Sequence, residues 1–158
     1  MRSTITLGLL LLFGSGCART QPDADPSFMD RATSLPDSLS VIFGQGGGFA
    51  GLWNGYTVQP DGLVLKWQGY VAENNAQAYG RLDTAGMQTL WHALSEADIM
   101  HAESQPIGNV TAYVRVTADT ATHRVSWRPR PVGVEGATKL DTLMHKLDAL
   151  VLGHKQEE

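Results

Sequence analysis

The sequence predicts an α+β fold: one antiparallel sheet of four to five strands, in the order β-β-β-α-β-β-α, with two helices packed on one face. Three observations lead there. Short runs alternate apolar and polar residues and are joined by turn residues, which is the period of a half-buried strand. Two longer stretches instead repeat their apolar residues at i, i+3, i+4 and i+7, each just after a capping residue. The strand-like runs come in consecutive groups rather than alternating with helices one for one, which favours hairpins over parallel crossovers.

The elements follow in order. Leu39, Val41 and Phe43 point one way along a first strand that runs into Gly44-Gln45-Gly46-Gly47-Gly48. The chain resumes with Leu52 to Val58, passes Pro60-Asp61-Gly62, and alternates again from Leu63 to Trp67. Asp-Gly between alternating runs is a strong hairpin signal. Centring a turn on Asp61-Gly62 sets Val58 opposite Leu65 and Tyr56 opposite Trp67, on one continuous apolar face. Phe49 is expected to plug the core beside the glycines. Asp83 or Thr84 then caps a helix carrying Met87, Leu90, Trp91 and Leu94. A second hairpin pairs Val110, Ala112, Val114 and Val116 with His123, Val125 and Trp127 across Asp119-Thr120. Its loop must hold an even number of residues for both apolar sets to share a face. Last, Leu140, Leu143, Met144, Leu147 and Val151 form one stripe of a helix that Thr138 and Asp141 start as a capping box and Gly153 stops.

Two helices cover only one side of such a sheet, so the other side is expected to be wet. That side carries Trp53, Thr57, Lys66, Tyr70, Tyr113, Arg115, Arg124, Ser126 and Arg128. Arg115 and Arg124 are opposite or nearly so, an unfavourable juxtaposition unless an acidic group intervenes. Tyr, Trp and Arg are the types enriched where proteins bind partners, which makes Trp53, Lys66, Tyr70, Tyr113, Arg115, Arg124 and Arg128 a candidate binding face. Trp91 and Trp127 lie in apolar stripes and are expected in the core.

Bulk composition excludes several functions. The chain has 158 residues with 12 basic and 16 acidic side chains, a formal net charge of −4. No basic footprint for nucleic acid is present, nor one for gripping anionic lipid by charge. The single cysteine, Cys17, rules out a disulfide framework and a thiolate metal site. Gly46-Gly47-Gly48-Phe49-Ala50-Gly51 fits G-x-G-x-x-G, but a strand rather than a helix follows it, so no helix terminus is offered to a pyrophosphate. Nucleotide binding is not expected, and the glycines, with Phe49, read instead as a wide β-connection and candidate binding loop. His92 and Glu96, like Asp141 and His145, lie one helical turn apart without forming a metal motif. No G-x-S-x-G elbow occurs in the folded part. No catalytic residue, cofactor or metal is assigned.

The N-terminus says where the protein works. Arg2, the apolar run Ile5 to Phe13 and Gly14-Ser15-Gly16 before Cys17 read as a secretory signal, too short to span a bilayer. Small residues before a lone cysteine resemble the lipobox of bacterial lipoproteins, although Gly14 stands where that family usually has Leu. The resemblance implies removal of residues 1–16 and lipidation of Cys17. Residues 17–37, with Pro22, Pro26, Pro36 and four Asp, then read as a flexible tether with a reach of roughly 25 Å. Residues 38–153 form the domain and 154–158 a tail. Ala18 after the cysteine resembles the pattern that directs enterobacterial lipoproteins to the outer membrane, facing the periplasm. The segment Phe43 to Gly51, the Tyr56 and Asp61-Gly62 hairpin, Gly108-Asn109 and Ser126-Trp127 resemble a group of small bacterial envelope lipoproteins. More remotely, Gly-Gly-Phe-Ala-Gly resembles emfourin-type inhibitors of thermolysin-like metallopeptidases. These likenesses imply a membrane-anchored envelope protein with a non-catalytic domain that binds a protein partner, of peptidase-inhibitor type in the emfourin case. The alternatives are a purely architectural envelope component, or a small hydrolase using His92 or His123 with nearby acids.

Overall fold

The computed structural model describes residues 34–155. The expected signal segment, Cys17 and most of the expected tether lie outside the described residues. Along the chain run β1 (Ser40–Gly47), β2 (Leu52–Val58), β3 (Leu63–Gly69), β4 (Gln77–Arg81), α1 (Thr84–Glu96), β5 (Val110–Ala118), β6 (Ala121–Trp127) and α2 (Lys139–Leu152). They form one antiparallel sheet in the order β4-β3-β2-β1-β5-β6. The α+β class and the antiparallel sheet are as expected, but there are six strands rather than four to five. The additional strand is β4, whose Gln-Ala-Tyr-Gly-Arg lacks the apolar alternation that marks the others.

One side of the sheet and both helices share a single apolar cluster. Val41, Phe43, Val58, Val64, Val114, Val116, Val125 and Trp127 meet Leu90 and Leu94 of α1 and Leu143 and Leu147 of α2. Asp83 caps α1 by accepting a 2.7 Å hydrogen bond from the Gly86 N–H. At α2 the expected capping box forms, and its acidic member does more than cap. Asp141 is 4% exposed and accepts from Trp127 Nε1 at 3.0 Å, Arg130 N at 2.8 Å, and Thr138 N and Oγ1 at 2.8 and 3.0 Å. It thereby ties the core tryptophan at the end of β6, the following loop and the start of α2 to one carboxylate. The two edge strands are covered unequally, β6 over residues 123–126 and β4 at Gly80 alone. Along β6, His123 Nε2 lies 2.9 Å from Ala102 O, Ser126 N donates to Ser104 Oγ, and Gln105 N donates to Ser126 O. At β4, Gly80 bridges to Lys155. Such cover shortens the edge open to pairing with other chains. Leu35, ahead of β1, also packs against the core.

The β2–β3 register differs from expectation by one residue. Val58 pairs with Val64 and Tyr56 with Lys66, not with Leu65 and Trp67. The turn is the reason. Gly62 N donates to Gln59 O, Gln59 N donates to Leu63 O, and Gly62 sits at φ +83°. Three residues, Pro60-Asp61-Gly62, therefore form the loop, a β-turn followed by a left-handed glycine, in place of a two-residue Asp-Gly loop. A one-residue slip sends every side chain of the strand to the other face. Val64 and Lys66 turn toward the helix side, and Leu65 and Trp67 away from it. Lys66, expected on the wet face, lies at the opposite face, 5.5 Å from the Tyr79 ring centre.

Two carboxylates of α2 titrate with opposite sign. Burial alone would raise Asp141, but the hydrogen bonds donated by Arg130, Thr138 and Trp127 outweigh it and hold the group below its ordinary value. Asp148 is raised, by burial, against a smaller opposing pull from His145. Stability owed to Asp141 is thus present above the unfolded value of about 3.9 and lost as pH falls through the lower folded value. For Asp148 stability falls as pH rises from about 3.9 through the raised value. In urea unfolding, Asp141→Asn is expected to cost about 2–4 kcal/mol at pH 7 by leaving buried donors without a charged acceptor. Asp148→Asn is expected to raise the Tm at pH 7, with the gain vanishing below pH ~3.9.

Candidate functional site

The face turned away from the helices is not uniformly wet. Its central row runs Trp67–Gly55–Gly44–Tyr113–Ser126 across five strands. The two glycines leave the middle of that row without side chains, and Trp67 and Tyr113 lean in from either side to fill it. Their rings lie 6.3 Å apart at 21°, and both residues are buried, at 1% and 0% exposure. A Cβ on Gly44 would lie 2.5 Å from Trp67 Cη2, and one on Gly55 2.6 Å from the same atom. In the adjacent row Trp53 covers Gly46, where a Cβ would lie 2.5 Å from Trp53 Cγ. Trp53 meets Tyr113 edge-on at 6.0 Å. The expected wet face is therefore dry at its centre, under an aromatic layer separate from the main core.

Polar groups ring this layer. Arg115 and Arg124 are directly paired across β5 and β6, as expected. An acidic group does intervene: Glu73, from the loop between β3 and β4, accepts from Tyr113 Oη at 2.9 Å and from Arg115 Nη2 at 2.5 Å. Arg124 lies over the Tyr113 ring, 4.2 Å from its centre. Burial, then the hydrogen bond to Glu73 and its charge, push the Tyr113 hydroxyl well above the ordinary phenol value, more than the two arginines pull it down. Trp67 Nε1 is sealed from solvent with no acceptor among the described residues. Beside it a concavity of about 370 Å³ is lined by Lys66, Trp67, Gln68, Asn75, Gln77, Ala78 and Tyr79.

Of the candidate face residues, Trp53, Tyr113, Arg115 and Arg124 come together. Tyr70 is exposed in the β3–β4 loop, Arg128 lies against Gly108 at the sheet end, and Lys66 is on the other face. Sequence reasoning missed Trp67 and Glu73. Trp67 was findable through Pro60, a residue at home in the second position of a β-turn and not in a paired strand. No local signal marked Glu73.

The glycine-rich segment forms the β1–β2 connection. Gly47 pairs with Leu52 on one side and Val110 on the other, and Gly48 N donates to Asn109 O at 2.7 Å. Gly47, Gly48 and Gly51 all have positive φ, at 97°, 67° and 62°. Phe49 does not plug the core: at 108% exposure it stands clear of the fold at the loop tip. Here the turn demands left-handed backbone on both sides of Phe49, so the ring is carried away from the sheet.

Among the histidines, His92 is exposed on α1 and His123 is bound to Ala102 O on β6. Glu96 pairs with Lys146 of α2 at 2.7 Å, and Asp141 is consumed by capping. Among the described residues no three His, Cys, Asp or Glu side chains gather as a metal site. No protein-family model matches the chain, and no curated protein matches it.

The glycine floor makes a direct prediction. Gly44→Ala and Gly55→Ala should each destabilise the protein by about 3 kcal/mol, since backbone as well as the indole blocks the new methyl. Gly51→Ala, with nothing within 4 Å of the new atom, should cost only about 1 kcal/mol, through its left-handed backbone. Chemical denaturation followed by tryptophan fluorescence measures all three.

Proposed function

We propose that this chain is a lipid-anchored protein of the bacterial envelope whose domain binds a protein partner without catalysis, through the sheet end bearing the glycine-rich loop. The observation that carries the reading is where apolar surface has been left exposed. Phe49 and Leu52 lie at the β1–β2 connection, Tyr70 and Val71 follow β3, Ile107 and Val110 open β5, and Val132 and Val134 follow β6. The antiparallel pairing puts all four of these connections at the Gly47 end of the sheet. Leu152 is the one other large apolar side chain exposed among the described residues. The opposite end shows Pro60-Asp61 and Asp119-Thr120 instead. Concentrated apolar exposure of this kind marks an interaction surface, whereas the centre of the aromatic face is already occupied by the protein's own rings.

Polarity along the domain supports the same reading. The chain enters β1 at Leu39 and Ser40, at the end away from Phe49. A lipid on Cys17 would thus attach to the domain at the end away from the apolar loops and leave those loops unobstructed by the tether. The likeness of the Phe49 segment to emfourin-type inhibitors makes a peptidase the first partner to try.

Two measurements test the reading. Palmitate-analogue labelling of cells is expected to mark the wild type and not Cys17→Ala, with the labelled protein in the outer-membrane fraction; equal labelling of both removes the anchor. Affinity capture from envelope extract, secreted peptidases included, is expected to retain a partner on the wild-type domain and lose it, by tenfold or more, on Phe49→Asp. Equal capture by both proteins, at unchanged Tm, removes the binding surface.

A further inference from the structure

The open face brings two guanidiniums together and answers them with one carboxylate. Arg115 and Arg124 are nearest cross-strand neighbours, a spacing at which like charges repel. Glu73 spends both oxygens there, one on Tyr113 Oη and one on Arg115 Nη2. Arg124 has no carboxylate within ion-pair distance among the described residues and rests on the Tyr113 ring instead. The loop that delivers Glu73 is strained to do so. Glu73 itself has φ +69° and Asn75 φ +56°, a region that disfavours any side chain with a Cβ and Glu more than Asn. On the same face Trp67 Nε1 is buried without an acceptor among the described residues.

From this geometry we infer that the open face is a carboxylate-binding site which Glu73 fills in the unliganded protein. Its external ligand is a peptide carboxylate. The planar, two-oxygen seat is already demonstrated by Glu73, and Arg115 with Tyr113 Oη forms its fork. Arg124 supplies a second positive charge that the internal carboxylate does not use. When such a ligand binds, Glu73 leaves and the loop from Tyr70 to Ala76 relaxes from its left-handed backbone. The latch therefore weakens every external carboxylate by the fraction of time it stands open. This site is distinct from the Phe49 end and stands whether or not that end binds a partner.

The test uses N-acetyl-Ala-Ala with a free C-terminus, the same peptide amidated, and acetate, each at constant ionic strength against chloride. Binding is read from tryptophan fluorescence and from the Arg115 and Arg124 Nε–H resonances. The free acid is expected to bind Glu73→Gln about tenfold more tightly than wild type, and to lose that binding when Arg115→Gln is added. The amide is expected to bind neither protein. In wild type, which needs no altered residue to fold, saturating free acid is expected to shift the Glu73 and Asn75 resonances as the loop is displaced. The inference is overturned if acid and amide behave alike, if acetate does no more than chloride, or if Glu73 resonances stay fixed while the acid saturates the protein. Phe49→Asp should leave all of these readings unchanged.

Discussion

A floor without side chains governs this structure. Gly44, Gly46 and Gly55 sit at the middle of the sheet, on the two central strands, all facing away from the helices. Each costs about 0.5–1 kcal/mol relative to alanine in a strand. What they permit is larger. Trp67 and Tyr113 each bury roughly 150–250 Å², which at about 25 cal/mol per Å² outweighs three glycines several times over. The central strand β1 is consequently enclosed on both faces, by helices over Val41 and Phe43 and by aromatic rings over Gly44 and Gly46. A sheet with helices on one side only thus acquires a second, thinner core on the other.

That second core dictates what surrounds it. Rings lying flat over a sheet bring polar atoms with them, and those atoms need partners. Tyr113 Oη finds Glu73, and Glu73 in turn reconciles Arg115 with its neighbour. On the helix side the same logic runs through Trp127, whose Nε1 donates to Asp141. The two carboxylates differ in burial. Asp141 is enclosed by four donors supplied by β6, its following loop and the start of α2, and holds those elements in one arrangement. Glu73 is held from a single loop, with its side chain 29% exposed, so its contacts are the more exchangeable.

Much of this was legible in the sequence. The helices and their caps, the β5–β6 hairpin with its even-numbered loop and the neighbouring arginines all follow from local periodicity and end signals, because each is decided within a few residues. The β2–β3 register was not, since Asp61-Gly62 is compatible with loops of two or three residues and only Pro60 separates them. That one-residue ambiguity moved Trp67 and Lys66 between faces and hid the aromatic layer. Strand β4 and the position of Glu73 were illegible for another reason: pairing along the β3 edge and across |i−j| of 40 and 42 residues creates them. Phe49 was misplaced because an aromatic beside glycines reads as a plug, whereas left-handed backbone on both sides turns it outward.

The residues that hold the fold and the exposed apolar surface are consequently separated in space. Residues the fold cannot lose, Trp67, Tyr113 and Asp141, are buried and satisfied within the chain or stacked upon one another. The exposed apolar residues at the Gly47 end contribute little to the core: Phe49 is fully exposed, and Tyr70 is 78% exposed. Side chains that cost solubility and return little stability need another reason to be where they are. Their confinement to one end, on four connections of a sheet enclosed on both faces at its centre, is what supports the proposed binding surface. The sheet's inner and outer cores together fix the strands from which those connections extend.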